Sequence, residues 1–248
     1  HANFNNEIGV PKTLLQLNEE HQAAIVEMGM RGLGQIALLT KIARPDIAVI
    51  TTVNATHIEL LGSVDNIARA KAEIFENFDG GHAVILNYDN PYTKNMQPPC
   101  PKIYFGLDER ADISAKNIIY TADSTTFDCV DKLRQAEYSV RLNIVGEHNV
   151  SNALAALAVA AVMKIELSSV LQGLAAAQIS DMRQSIEKYP KNITVINDAY
   201  NAGPVSMHMA IKSLRAIGKT ARKIAVLGDM LEMGSLAQLS HEDLAVFC

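Results

Sequence analysis

Apolar residues return every three or four positions along residues 63–78, where Val64, Ile67, Ala68, Ile74, Phe75 and Phe78 form one stripe of an amphipathic helix. Two shorter runs, 22–27 and 46–53, are apolar almost throughout; the first ends in Glu27 and the second leads into Asn54-Ala-Thr-His57. Their continuous apolar character, with a helical stretch at 33–42 between them, predicts buried parallel strands. Residues 82–86 predict a third strand, and residues 12–17 a helix ahead of the first. The proline-rich stretch 91–101 reads as a break rather than an element.

Beyond it the texture changes. Segments 103–105, 115–120, 125–130 and 138–144 are short and alternate, as antiparallel strands with one wet face do. From Gly146 the chain is apolar nearly all round, which predicts a deeply buried helix, followed by another at 168–177 capped by Ser168 or Ser169. Residues 181–187 read as a domain junction. A new α/β unit follows, with strands at 193–197 and 223–227, a helix from Pro204 to about residue 216, a turn at 228–234 and a final helix at 241–248. Two strands cannot bury a sheet, so this second domain is expected to be incomplete.

Length and composition fit this picture. The chain has 248 residues, 48% hydrophobic and 20% charged, enough for one large or two modest domains. A net charge of −5 speaks against nucleic acid as a partner. No run approaches the roughly 18 apolar residues of a membrane span, and residues 1–30 carry no secretory signal pattern. Three widely spaced cysteines, Cys100, Cys129 and Cys248, suit a reducing cytoplasm better than a disulfide framework.

Lys71 interrupts the stripe of the 63–78 helix. An ammonium held there must find anionic partners, lose its proton, or snorkel past the stripe's edge to water. A neutral buried amine is reactive, and carbon dioxide converts it to a metal-binding carbamate. In open α/β sheets ligands collect at the carboxyl ends of strands, which is where Glu27 and His57 fall. Glu27, His57 and a modified Lys71 would supply oxygen and nitrogen ligands suited to Mg²⁺ or Mn²⁺. Taken singly, Glu27 reads as a strand-end surface carboxylate and His57 as a loop or capping residue.

The pieces Asn5-Asn6-Glu-Ile-Gly-Val-Pro11, Glu27-Met-Gly29, His57-Ile-Glu59, Ala68-Arg-Ala-Lys71, Gly146-Glu-His-Asn149-Val-Ser-Asn152, Met182-Arg183, Asn197-Asp198-Ala-Tyr200-Asn201 and Gly228-Asp-Met-Leu-Glu-Met-Gly234 together resemble the Mur ligases. The first and last of these are similar to the branch that joins D-alanyl-D-alanine to UDP-N-acetylmuramoyl-tripeptide. The resemblance implies an α/β fold: a mostly parallel central sheet flanked by helices with added antiparallel strands, then a truncated Rossmann-like domain. Residues 1–182 would be the ATP-binding domain and 183–248 the start of the C-terminal one. It implies an ATP- and Mg²⁺-dependent, cytoplasmic, monomeric ligase of peptidoglycan precursor synthesis working through an acyl phosphate. By resemblance Glu27 and His57 hold metal, Lys71 is the carbamylated lysine, Asn149 contacts adenine, Arg183 the nucleotide and Asp198 ribose. Asn5 and Asn6 would lie near the UDP-sugar-peptide substrate, or shape a loop. Asn149 also reads as a helix N-cap, Arg183 as a surface ion pair and Asp198 as a turn former.

The family's phosphate-cradling loop is missing from the sequence, since Gly218-Lys219-Thr220 lacks the preceding glycine of that motif. The expectation is therefore an internal fragment, inactive by itself. Two other readings remain: an amide ligase of the folylpolyglutamate or cyanophycin synthetase type, and a non-catalytic homologue serving as a binding module.

Overall fold

The computed structural model describes residues 4–56, 58–121, 123–178, 185–216 and 222–248, and the chain divides into two compact units, residues 1–105 and 106–248. In the first unit three strands run parallel: β1 (Ile47–Ile50), β2 (Ala83–Asn87) and β3 (Lys102–Gly106), with β2 between the other two. Ala83 to Leu86 are all buried, as a strand covered on both faces requires. Helices α1 (Gly9–Leu14), α2 (Gln35–Ala43), α3 (Ile58–Leu61), α4 (Val64–Ala72) and α5 (Pro91–Lys94) complete the unit. Its core gathers Ile50, Val53, Ile67, Ala70, Phe75 and Phe78 around Val84 and Leu86.

The expected helix at 63–78 forms as α4, which tightens into a 3₁₀ turn at Glu73–Phe75. Ser63 caps it, its Oγ accepting from the Asn66 amide at 3.1 Å. Helix α1 starts earlier than the apolar pattern indicates because the Asn6 side chain accepts from the Ile8 and Gly9 amides at 3.2 and 2.8 Å. The expected break at 91–101 contains one helical turn, α5. There Asn90 Oδ1 accepts from the Tyr92 and Thr93 amides, and Pro91 occupies a first-turn position where its missing N–H costs nothing.

In the second unit β4 (Ile113–Tyr120), β5 (Thr125–Asp131) and β6 (Ala136–Leu142) are antiparallel, and burial alternates residue by residue along β5. Helix α6 (Glu147–Val162) buries Val150, Ala153, Leu154, Leu157 and Ala158, matching its all-round apolar sequence. Helix α7 (Leu167–Ala176) starts from Glu166 without a side-chain cap. Ser168 falls inside its first turn rather than before it, so the expected serine cap does not form. An antiparallel ribbon of β7 (Ser185–Tyr189) and β8 (Ile193–Asn197) follows, then α8 (Pro204–Ala216) and α9 (Ala237–Phe247). The ribbon's first strand occupies part of the segment expected to be only a junction.

Two expected strands do not form. Residues 22–27 and 223–227 lie in irregular backbone, with Ile25 96% and Val226 94% exposed. A strand needs a neighbour to take its N–H and C=O groups, and neither segment joins a ladder among the described residues. Their apolar composition alone cannot substitute for that neighbour.

Candidate functional site

Lys71 lies where the helix pattern placed it, on the buried side of α4 between Ile67 and Phe75. Its side chain is half-buried, and burial pushes its ammonium below the ordinary lysine range. The charge of Glu27 opposes that shift, so the carboxylate stands close enough to act on the amine. Glu27 lies 44 positions before Lys71 in the chain, and the strand expected to carry it does not form.

What holds Glu27 instead is Asn5. Its Nδ2 donates to Glu27 Oε1 at 3.0 Å, and its backbone carbonyl accepts from the Gly29 amide at 2.7 Å. A Cβ on Gly29 would come within 2.9 Å of the Asn5 side chain, so glycine is what permits this approach. Asn6, the neighbouring candidate, spends its side chain on the turn that opens α1. His57 lies outside the described residues. Among those residues no three His, Cys, Asp or Glu side chains gather into a metal site.

The carboxyl ends of β1 and β2 are fastened by amides. Asn87 Nδ2 donates to the Thr51 carbonyl at 2.9 Å, and Asn90 Nδ2 to the Val53 carbonyl at 2.8 Å. These hold the 51–54 segment that leads toward His57. Glu73 is a residue that the sequence did not single out. It is buried, and its carboxylate accepts from the Gly34 and Ala37 amides at 2.7 and 3.2 Å, capping α2 from 39 residues away. The signal was present: residues 32–34, Gly-Leu-Gly, offer that helix no capping side chain of their own.

A second group of candidates lies in the other unit. Asn149 is buried in the first turn of α6, and Gly146, at φ 125°, occupies the N-cap that Asn149 was a candidate for. The Asn149 side chain donates back to the Val145 carbonyl at 3.0 Å. Asp198 follows the end of β8 and is half-buried. His148 precedes Asn149 in the same turn, and burial pushes its imidazole below the usual range while Asp198 and Glu147 pull it up. Arg183 lies outside the described residues, as does Gly218-Lys219-Thr220.

Both units match proteins of known family. Residues 1–160 match the Mur ligase middle domain, and residues 182–247 the Mur ligase, glutamate ligase domain. The UDP-N-acetylmuramoyl-tripeptide–D-alanyl-D-alanine ligase of Bacillus subtilis is 36% identical over 98% of this chain and 52% of its own length. A crystal structure of MurF from Acinetobacter baumannii superposes with a TM-score of 0.90 at 32% identity, covering 98% of this chain and 53% of that one. The MurF ligase of Thermotoga maritima, solved in complex with ADP, gives 0.88 at 27% identity over 100% and 56%. This chain thus spans about half the length of the relatives it matches.

Proposed function

Because the chain belongs to the Mur ligase family, we propose that it carries the metal- and nucleotide-binding parts of a ligase that joins D-alanyl-D-alanine to UDP-N-acetylmuramoyl-tripeptide. Residues 1–182 form its ATP-binding domain and 183–248 the beginning of its C-terminal domain. It acts as a monomer in the cytoplasm, in peptidoglycan precursor synthesis. In this chemistry the substrate carboxylate takes the γ-phosphoryl group of ATP and ADP departs. The amine of D-alanyl-D-alanine then attacks the acyl carbon, phosphate leaves, and the ammonium proton passes to base. Such transfers depend on neutralising charge around phosphates more than on covalent help.

The observation that carries this reading is Lys71, a half-buried amine depressed below its usual pKa and facing Glu27. Its unprotonated form adds to carbon dioxide, forming an N–C bond and releasing one proton, which leaves a carbamate with two hard oxygen donors. Together with the Glu27 carboxylate that donor set fits Mg²⁺ or Mn²⁺, and His57 is the third ligand. The bound ion, when present, supplies positive charge to phosphate oxygens. Asn5 holds the Glu27 carboxylate in place and Asn6 shapes the turn beside it, where the UDP-sugar-peptide is expected to end. Asn149 receives adenine, Asp198 ribose, and Arg183 the phosphates.

Carbon-13 NMR of the protein equilibrated with labelled bicarbonate tests the carbamate. A carbamate resonance present in the unaltered chain and absent from Lys71→Met is expected; a signal indifferent to that substitution would defeat the assignment. Assay of ADP release with UDP-N-acetylmuramoyl-tripeptide and D-alanyl-D-alanine should show no turnover by these 248 residues alone, since their sequence holds no Gly-Lys-Thr phosphate loop with its preceding glycine.

A further inference from the structure

His148 carries a feature that its neighbours in the second unit do not share. Among the described residues its Nδ1 is the buried side-chain nitrogen or oxygen without a hydrogen-bond partner. Buried polar atoms are nearly always paired, because an unpaired one has surrendered water for nothing. The ring lies folded over Gly146, so close that a Cβ there would stand 2.5 Å from Cε1 and 2.9 Å from Nδ1. The positive φ of Gly146 and the start of α6 fix the backbone beneath it. The unpaired nitrogen thus lies on the glycine side of the ring, in contact with backbone and without a hydrogen bond of its own.

Its surroundings indicate what could complete it. The charges acting on the ring are Glu147, on its own helix turn, and Asp198, just beyond β8. Two carboxylates repel a phosphate oxygen, so an anionic group is a poor partner. A neutral hydroxyl is a good one, because it can donate to a bare imidazole nitrogen or accept from a protonated one, whichever tautomer is present. A carboxylate beside it accepts only, so the pair suits a vicinal diol with two O–H groups to place.

Granted the nucleotide reading proposed above, we propose that His148 is a ribose-binding residue, its Nδ1 exchanging a hydrogen bond with one ribose hydroxyl beside Asp198. The imidazole thereby distinguishes a ribonucleotide from the deoxy form that lacks that hydroxyl, a specificity role separate from the adenine contact expected of Asn149.

The test is titration calorimetry of the chain with ADP, 2′-deoxy-ADP and 3′-deoxy-ADP. The unaltered protein should prefer ADP over one deoxy form by roughly 3- to 10-fold, the range of a single neutral hydrogen bond. In His148→Leu the preference should vanish, with ADP falling to the deoxy level and the deoxy affinity unchanged. His148→Asn, whose amide stands near the position of Nδ1, should keep the preference, and His148→Gln, which reaches toward Nε2, should lose it. That second pair decides the matter if a thermal melt shows the leucine variant unfolded. Persistence of the preference over that same deoxy form in both His148→Leu and His148→Gln overturns the proposal, and so does an equal loss for all three ligands, which is the mark of packing on Gly146 alone. If the unaltered chain binds none of the ligands, or Asp198→Asn leaves every affinity unchanged, the nucleotide reading falls and this proposal with it. Sensitivity to Asp198→Asn without any effect of residue 148 on the preference sinks the proposal alone.

Discussion

Lys71 in the first unit and His148 in the second are both bases that burial pushes toward their neutral forms, and each faces a carboxylate that pulls the other way: Glu27 for the lysine, Asp198 for the imidazole. They differ in how they are held. Lys71 ends a flexible four-carbon stem on a helix stripe, and its carboxylate is positioned separately by Asn5. His148 is a rigid ring clamped on a glycine of unusual backbone conformation, with one nitrogen unpaired. The comparison teaches that one electrostatic balance can serve two chemistries. A mobile neutral amine can become a nucleophile toward carbon dioxide, whereas a fixed neutral imidazole can only offer a hydrogen bond at a set place.

The largest effect should come from breaking the clamp. Gly146→Ala puts a Cβ into the His148 ring at a residue with φ 125°, so strain and overpacking add. A loss of about 3 kcal/mol is expected by urea denaturation, and a change below about 0.5 kcal/mol would mean that the ring is free to move. On the other side of the comparison, Lys71→Met removes a partly desolvated charge but keeps the apolar stem. Since the amine remains partly open to solvent, the expected gain at neutral pH is modest, about 1 kcal/mol or roughly 2–4 °C in melting temperature. The sign follows from the lowered pKa. Between the folded value and the ordinary 10.5 the unfolded chain binds more protons, so the unaltered protein gains stability as pH rises through that window. The methionine variant should lack this gain; a variant that melts lower at pH 7 would show that attraction to Glu27 outweighs desolvation.

His148 sharpens the contrast at acidic pH. Its folded pKa lies below the ordinary 6.5, so its contribution is complete above 6.5 and is lost as pH falls through that value toward the folded one. Denaturation of the unaltered chain and of His148→Asn across pH 5 to 7 should show the slope in the first only, and equal slopes would remove the imidazole from the balance. The smallest effect is expected from Asn5→Ala. It deletes an exposed hydrogen bond to Glu27 and should cost less than about 1 kcal/mol of stability. Its readout is instead the carbamate resonance of Lys71, which should weaken as Glu27 loosens.

How legible these features were depended on whether a local period announced them. Lys71 stood out because it breaks a 3/4 apolar repeat, and a broken period is visible in one dimension. Strand β5 was legible from its alternation, and helix α6 from an apolar run that continues nearly all round. Glu73 and His148 were not, because the groups that give them meaning lie 39 and about 50 positions away, at Gly34 and Asp198. Residues 22–27 and 223–227 mark the opposite failure. Their apolar runs satisfy the pattern of a buried strand, yet a strand exists only where a neighbour accepts its hydrogen bonds.

The sequence by itself determined the α/β class and the position of Lys71 inside a helix stripe. Only the tertiary structure decided that Asn5 holds Glu27, that Glu73 caps α2, and that the His148 ring is pinned with its Nδ1 unpaired. Periodicity is a property of neighbours along the chain, whereas burial and pairing belong to neighbours in space.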